Sequence, residues 1–262
     1  MKALKPEERL IVAADFKPPV EDQWIEDGPY AGQSTVCRSK RKWVEKQVLA
    51  LADSLKGTGV YLKVNSALRV CGYDLIGEIQ SRGLRVFADL KLNDIPATLA
   101  TDGVFLAEAQ PELLTVMCYT GTKAMAELKK CLPKTEVLGV TVLTSLSEEE
   151  VAHLHGAKID ETVKRLALMA QVAGLDGLVS SAKELALLKT VLEREMTLNT
   201  PGIRPVWAPV EGDDQNRERV MTISHAIKAG ATRIVIGRPI MQADDVYGAV
   251  RRTIDEIALA TG

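Results

Sequence analysis

The chain has 262 residues, of which 46% are hydrophobic; that is long for an ordinary domain, normal for one α/β barrel, and enough for a full core. A formal net charge of −2 excludes a global basic field for nucleic acid or an anionic membrane, so any anion must be held locally. No apolar run approaches the ~20 residues that span a bilayer. The opening "MKALKPEERL" has no signal-peptide core, and Cys37, Cys71, Cys118 and Cys131 form no CxxC pair. With only three histidines a zinc site is disfavoured. The expectation is a cytoplasmic protein in a reducing compartment, with no structural disulfide, metal or membrane partner.

The first element, "RLIVAADF" (9–16), is a β-branched run ending in Asp15. Residues 17–42 follow without periodicity, rich in Pro and Gly and ending in the basic cluster "RSKRK". This reads as a long loop insertion. "WVEKQVLALADSLKG" has helical spacing and stops at Gly57; "GVYLKVN" reads as a strand and "ALRVCGYDLIGEIQSRG" as a helix. The alternation continues through strand "LRVFADLK", a helix near 97–109, strand "ELLTVMC", a helix near 121–131 and strand "EVLGVTVL". A helix across 160–173 leads to strand "DGLVSS", a helix near 182–194, strand "MTLNTPG", a helix near 222–229, strand "RIVIG" and a last helix near 244–260. Eight strands alternating with helices predict a parallel sheet closed as a single (β/α)8 TIM barrel, one domain over residues 1–262. The alternative, an open doubly wound sheet, lacks its GxGxxG fingerprint after the first strand. His153 and His155 read as surface residues near a helix end, Met117 as packing.

Catalytic groups of a barrel sit at the C-terminal ends of its strands. Asp15 ends the first strand, Lys63 lies late in the second, and Asp89 and Lys91 end the third. Strand side chains alternate, so Phe87, Asp89 and Lys91 share a face. With Phe87 inward, both charges point into the barrel mouth. A solvated strand-end pair would explain two of these charges; three strands each ending in a charge within an apolar run favour a site. After the seventh and eighth strands come "TPGIRP" (200–205) and "VIGRP" (235–239), where barrels often bind phosphate. Gly202 and Gly237 let backbone N–H groups approach an anion, and Arg204 and Arg238 offer forked donors.

These motifs resemble a known family. "FADLKLNDIPAT" is similar to the DxKxxDIP motif of the orotidine 5'-monophosphate decarboxylases, and "TVLTS", "TPGIRP", "DDQNR", "MT" and "VIGRP" follow in that family's order, from Leu10 to about Gln242. The resemblance implies decarboxylation of orotidine 5'-phosphate to UMP and CO2 with no metal or organic cofactor. It implies that Asp15 and Lys63 contact the ribose and extend the charge network, and that Asp89 sits near the substrate carboxylate. Lys91 becomes the cation and proton donor at C6. Asp94, with Ile95 and Thr98, reaches the partner's site in a homodimer. Thr144 and Ser145 meet the pyrimidine. Pro201, Arg204, Gln215, Gly237 and Arg238 form the phosphate end. Four places depart from the family pattern: Ala97 for Asn, "VMCYTGT" for the usual "VHA" stretch, the loop from Pro205 to Asp214, and the long segment 17–42. DxK alone is shared with Mg²⁺-dependent sugar-phosphate decarboxylases and aldolases, which stay as the rival enzyme reading; a phosphate-binding barrel without activity is the other.

Overall fold

The computed structural model describes residues 4–19, 36–208 and 221–261. Eight strands, β1 (Leu10–Ala13), β2 (Tyr61–Val64), β3 (Arg85–Leu92), β4 (Leu113–Met117), β5 (Glu136–Val140), β6 (Gly177–Val179), β7 (Thr197–Thr200) and β8 (Arg233–Ile236), close into a barrel in sequence order. Every pairing is parallel, including the β8–β1 closure that sets Ile11 against Val235. The alternation seen in the sequence therefore gives the closed sheet, not the open one.

The strands are short, and five of them are buried from end to end. One face builds the interior cluster of Ile11, Ala13, Tyr61, Phe87, Leu113, Leu138 and Val235, with Val179 against it. The other face, with Leu10, Val12, Leu62, Val64, Val86 and Ala88, packs under the helices in the larger core. This is period two within each strand. Phe87 is buried inward as expected.

The helices are α1 (Val36–Ser54), α2 (Ser66–Cys71), α3 (Asp74–Gln80), α4 (Pro96–Ala109), α5 (Thr122–Cys131), α6 (Glu148–His155), α7 (Ile159–Val172), α8 (Leu185–Val191), α9 (Ile223–Ala229), α10 (Arg238–Met241) and α11 (Val246–Thr261). In α1, Val44, Val48, Leu51 and Ala52 are buried at helical spacing, and Leu55 just past its end is buried with them. Three expectations need correction. The loop expected over 17–42 ends early, because α1 already begins at Val36; Lys and Arg are good helix formers, so the basic run extends the helix instead of preceding it. Residues 20–35 lie outside the described residues. The single helix read over 67–83 is two helices, broken where Gly72 takes a φ of +89°. The helix near 182–194 is a 3-10 turn, Ala182–Glu184, followed by α8.

Smaller readings stand. Met117 is buried, and so are Cys71 and Cys118; Cys131 is partly buried, and all three thiols are free. The side chain of Cys37 lies outside the described residues. His153 is exposed on the last turn of α6 and His155 closes that helix. No helix among the described residues is long and apolar enough to cross a membrane.

At the N-terminal end of the barrel a polar layer closes the interior. Glu136 receives both terminal nitrogens of buried Arg233 at 2.9 and 2.8 Å, and the same guanidinium donates to Asn199 at 3.2 Å. Arg233 also stacks over the Tyr61 ring, 5.2 Å from its centroid. These contacts tie β5, β7, β8 and β2 together at that end.

Candidate active site

Charged side chains converge at the C-terminal mouth. Lys63 continues the inward face of β2, and its Nζ donates to Asp15 at 2.8 and 3.0 Å, just past β1. The same nitrogen stands 3.3 Å from Asp89 Oδ2. Lys91 Nζ donates to that oxygen at 2.7 Å. The result is one alternating chain, Asp15–Lys63–Asp89–Lys91. Its two middle members are buried, Lys91 is partly exposed, and the Asp15 side chain is 54% exposed to solvent.

Burial alone would neutralise the middle pair. Burial pulls the Lys63 ammonium down, but Asp89 and Asp15 outweigh it, so its pKa lies above the ordinary lysine value. Burial likewise pushes the Asp89 carboxyl up, and Lys63 with Lys91 outweighs it, so its pKa lies below the usual carboxylate range. Both groups are held charged in a place that disfavours charge.

The local backbone carries a second departure from simple alternation. Ala88 pairs with Leu114 and Leu92 with Val116, so three β3 residues stand opposite one β4 residue, Thr115. Lys91 adopts a φ of +49°, left-handed for a side chain with a Cβ, a conformation that costs on the order of 1–3 kcal/mol. Asp89 and Lys91 do reach the same mouth, as their spacing predicted, but through an irregular strand.

These groups line a cavity of about 500 Å³. Its wall carries five cationic side chains, Lys17, Lys63, Lys91, Arg204 and Arg238, against two carboxylates, Asp15 and Asp89. A chain of net charge −2 thus presents a net positive mouth, a place where an anion can be held locally. Thr144, Pro201, Gly202 and Gly237 also line it. Gly202 has a φ of +76°, so glycine is needed there for the turn. At Gly237 a Cβ would meet Ala13 only at 3.5 Å, ordinary contact, so crowding does not explain that glycine. The Arg204 guanidinium donates back to the Ile203 carbonyl at 3.0 Å.

Other expected residues sit elsewhere. Ser145 is exposed, outside the cavity lining. Asp94, Ile95 and Thr98 are exposed between β3 and the first turn of α4 and do not line the cavity of their own chain. The Asp94 backbone is clamped: its N–H donates to Thr120 Oγ1 at 3.2 Å, and that hydroxyl donates to the Asp94 carbonyl at 2.7 Å. Gln215 lies outside the described residues. Sequence reasoning missed Lys17, Ser180 and Thr115. Ser180 and Lys17 line the cavity just after β6 and β1, where the strand-end rule pointed. Thr115 is the one polar residue inside the apolar β4 run "LLTVM", and its hydroxyl donates to Asp89 Oδ1 at 2.9 Å.

Comparisons with known proteins bear on this geometry. Residues 8–253 match the Orotidine 5'-phosphate decarboxylase / HUMPS family. The orotidine 5'-phosphate decarboxylase of Saccharophagus degradans is 39% identical over 224 residues, covering 83% of this chain and 92% of that protein. The Nitrosomonas europaea protein of the same name is 36% identical over 254 residues, covering 95% and 97%. The crystal structure of orotidine 5'-phosphate decarboxylase from Lactobacillus acidophilus superposes with a TM-score of 0.71 at 26% identity, over 95% of this chain and 99% of that one. The match spans the strands that carry Asp15, Lys63, Asp89 and Lys91 as well as both arginine loops, and the chain belongs to the orotidine 5'-phosphate decarboxylase / HUMPS family.

Proposed function

We propose that this chain is an orotidine 5'-phosphate decarboxylase: it converts the substrate to UMP and CO2 in pyrimidine biosynthesis, and Lys91 stabilises and protonates a carbanion at C6. The observation that carries the reading is the alternating Asp15–Lys63–Asp89–Lys91 chain facing two arginine-bearing loops across one cavity. Loss of CO2 leaves electron density on a ring carbon with poor delocalisation. An ammonium beside that carbon opposes it directly and then supplies the proton. One unit-charge pair at about 4 Å contributes roughly 4 kcal/mol at an effective dielectric of 20, about 10³ in rate.

Asp89 fixes Lys91 Nζ through the 2.7 Å contact to its Oδ2 while standing where the substrate carboxylate must approach. Asp15 and Lys63 take the ribose side, and Thr144 with Ser145 the pyrimidine. Pro201, Arg204, Gly237 and Arg238 hold the phosphate, with Gln215 from the loop outside the described residues. The phosphate is remote from the reacting carbon, so its binding energy serves orientation and closure. The active form is a cytoplasmic homodimer of single-barrel chains, in which Asp94, Ile95 and Thr98 complete the partner's site. The exposure of these three residues, and the clamp on Asp94, support that arrangement.

The test is the loss of orotidine monophosphate absorbance with purified protein in EDTA. Turnover that survives the chelator, and is lost in the Lys91→Ala variant, supports the reading. Turnover only with added Mg²⁺ on a sugar phosphate favours the rival enzymes. Tight binding of UMP without turnover would make the chain a binding protein.

A further inference from the structure

We infer that Thr115 is a positioning residue for the reaction: a single buried hydroxyl ties the Asp89 carboxylate to the Lys91 backbone and so sets the geometry of the pair. The inference rests on the catalytic reading of Asp89 and Lys91 given above.

The register of the sheet singles this residue out. Between Ala88–Leu114 and Leu92–Val116, β3 runs three residues against one. A regular ladder has no partner to offer the surplus backbone there, and buried N–H groups need one. Thr115 is the lone β4 residue facing that gap, and it is fully buried. Its Oγ1 accepts from the Lys91 N–H at 2.9 Å. The same oxygen donates its proton to Asp89 Oδ1 at 2.9 Å.

The donor count fixes the directions. A hydroxyl has one proton and two lone pairs. An ionised carboxylate only accepts, and an amide N–H only donates. The proton therefore goes to Asp89 and a lone pair takes Lys91. Valine keeps the β-branched shape but offers neither bond.

Two features of the site depend on this oxygen. Lys91 is held at a φ of +49°, a conformation that persists only where its surroundings over-determine it. The hydrogen bond from its N–H to Thr115 Oγ1 ties that residue to β4. Asp89 has two carboxylate oxygens with separate duties: Oδ2 meets both ammoniums, and Oδ1 is held by Thr115. Fixing Oδ1 fixes the carboxylate plane and hence the place to which Oδ2 draws Lys91 Nζ. Thr115 does not line the cavity; it acts through Asp89 and Lys91, which do.

The experiment compares Thr115→Val and Thr115→Ser with wild type and Lys91→Ala. In Thr115→Val, kcat is expected to fall on the order of 10- to 100-fold with little change in KM, the usual loss when a reactive group loses its orienting partner. The acid limb of its kcat profile should also move to higher pH, because Asp89 loses a donor that favours its ionised form. Thr115→Ser keeps the hydroxyl and should recover most of kcat and the wild-type acid limb. If Thr115→Val does not fold, Thr115→Cys, whose thiol is a poor partner for both groups, carries the same expectations. A wild-type kcat and acid limb in Thr115→Val overturns the assignment, and so does a Thr115→Ser variant as slow as Thr115→Val, which would make the methyl group the active part. An active Lys91→Ala removes the catalytic reading itself. An inactive Lys91→Ala beside an unimpaired Thr115→Val removes the Thr115 assignment alone.

Discussion

Replacing Asp89 with Asn deletes one charge from the centre of the network and keeps its shape. Lys91 Nζ and Lys63 Nζ both touch Asp89 Oδ2, at 2.7 and 3.3 Å, which keeps the two nitrogens within about 6 Å of each other. At an effective dielectric of 20, two like charges about 6 Å apart repel by roughly 3 kcal/mol. In the variant no negative charge stands between them, and Lys63 keeps the half-exposed Asp15 as its acidic partner. Breaking a buried pair by removing one partner usually costs about 3–5 kcal/mol. We expect Asp89→Asn to lose that much unfolding free energy near neutral pH. The pH dependence carries its own sign. Asp89 lies below its ordinary value, so its contribution is present above about pH 4 and is lost as pH falls through its folded pKa. Lys63 lies above its ordinary value of 10.5, so its contribution is full below that value and is lost as pH rises through the folded pKa. Without Asp89 the burial of Lys63 dominates and its pKa drops. Deprotonation then relieves the repulsion, and the gap between variant and wild type should narrow from neutral pH toward about pH 10. Urea unfolding across that range measures it. A loss under about 1 kcal/mol at neutral pH, or a gap that ignores pH, would show that these charges are solvated and the electrostatic argument is wrong.

Removing the 5'-phosphate from the substrate should lower kcat itself and not only raise KM, because remote binding energy orients the ring; equal kcat for orotidine and its monophosphate refutes this. Arg238→Ala should lose much of the preference for the phosphorylated compound, read as the ratio of kcat/KM for the two substrates. Glu136→Gln at the opposite end of the barrel should destabilise by about 3–5 kcal/mol, because it strands buried Arg233. The folded enzyme should keep wild-type kcat, since the pair is remote from the mouth; a large kcat loss at full folding would contradict that separation.

The parts of the site legible in the sequence are those where a charge interrupts an apolar strand. Lys63 and Asp89 stand out because burial makes such residues expensive unless they have partners, and the structure supplies the partners, half-exposed Asp15 among them. Thr115 escaped because threonine suits a strand and attracts no notice there. Its importance comes from the β3–β4 register, which is a relation between two strands and is written in neither. The left-handed Lys91 was hidden for the same reason: period two predicts the face but not a surplus of backbone. Helix ends were misread where a local signal was outvoted. Gly72 breaks a pattern whose apolar spacing runs on from Leu68 through Leu75 to Ile79. The charged run before Trp43 looked like loop because its spacing carries no apolar stripe, yet it is helix from Val36 onward.

The role of Asp94 is decided by a test between chains. It lies in the same motif as Lys91, yet it is exposed, and its own cavity is lined without it. Thr120 holds its backbone from both sides, and Ile95 beside it is 65% exposed. An acid clamped at the surface beside an exposed isoleucine fits the proposed role in a partner's site. In a two-fold dimer each site would take Lys91 from one chain and Asp94 from the other. Lys91→Ala and Asp94→Ala should then each be nearly inactive alone. Mixed and allowed to exchange, the two variants form about half heterodimers, each with one doubly damaged site and one intact site. Recovered activity should therefore approach roughly a quarter of wild type. If Asp94 served its own chain, every site would stay damaged in every combination. Proven subunit exchange without recovery would reject the shared site and leave the role of Lys91 untouched.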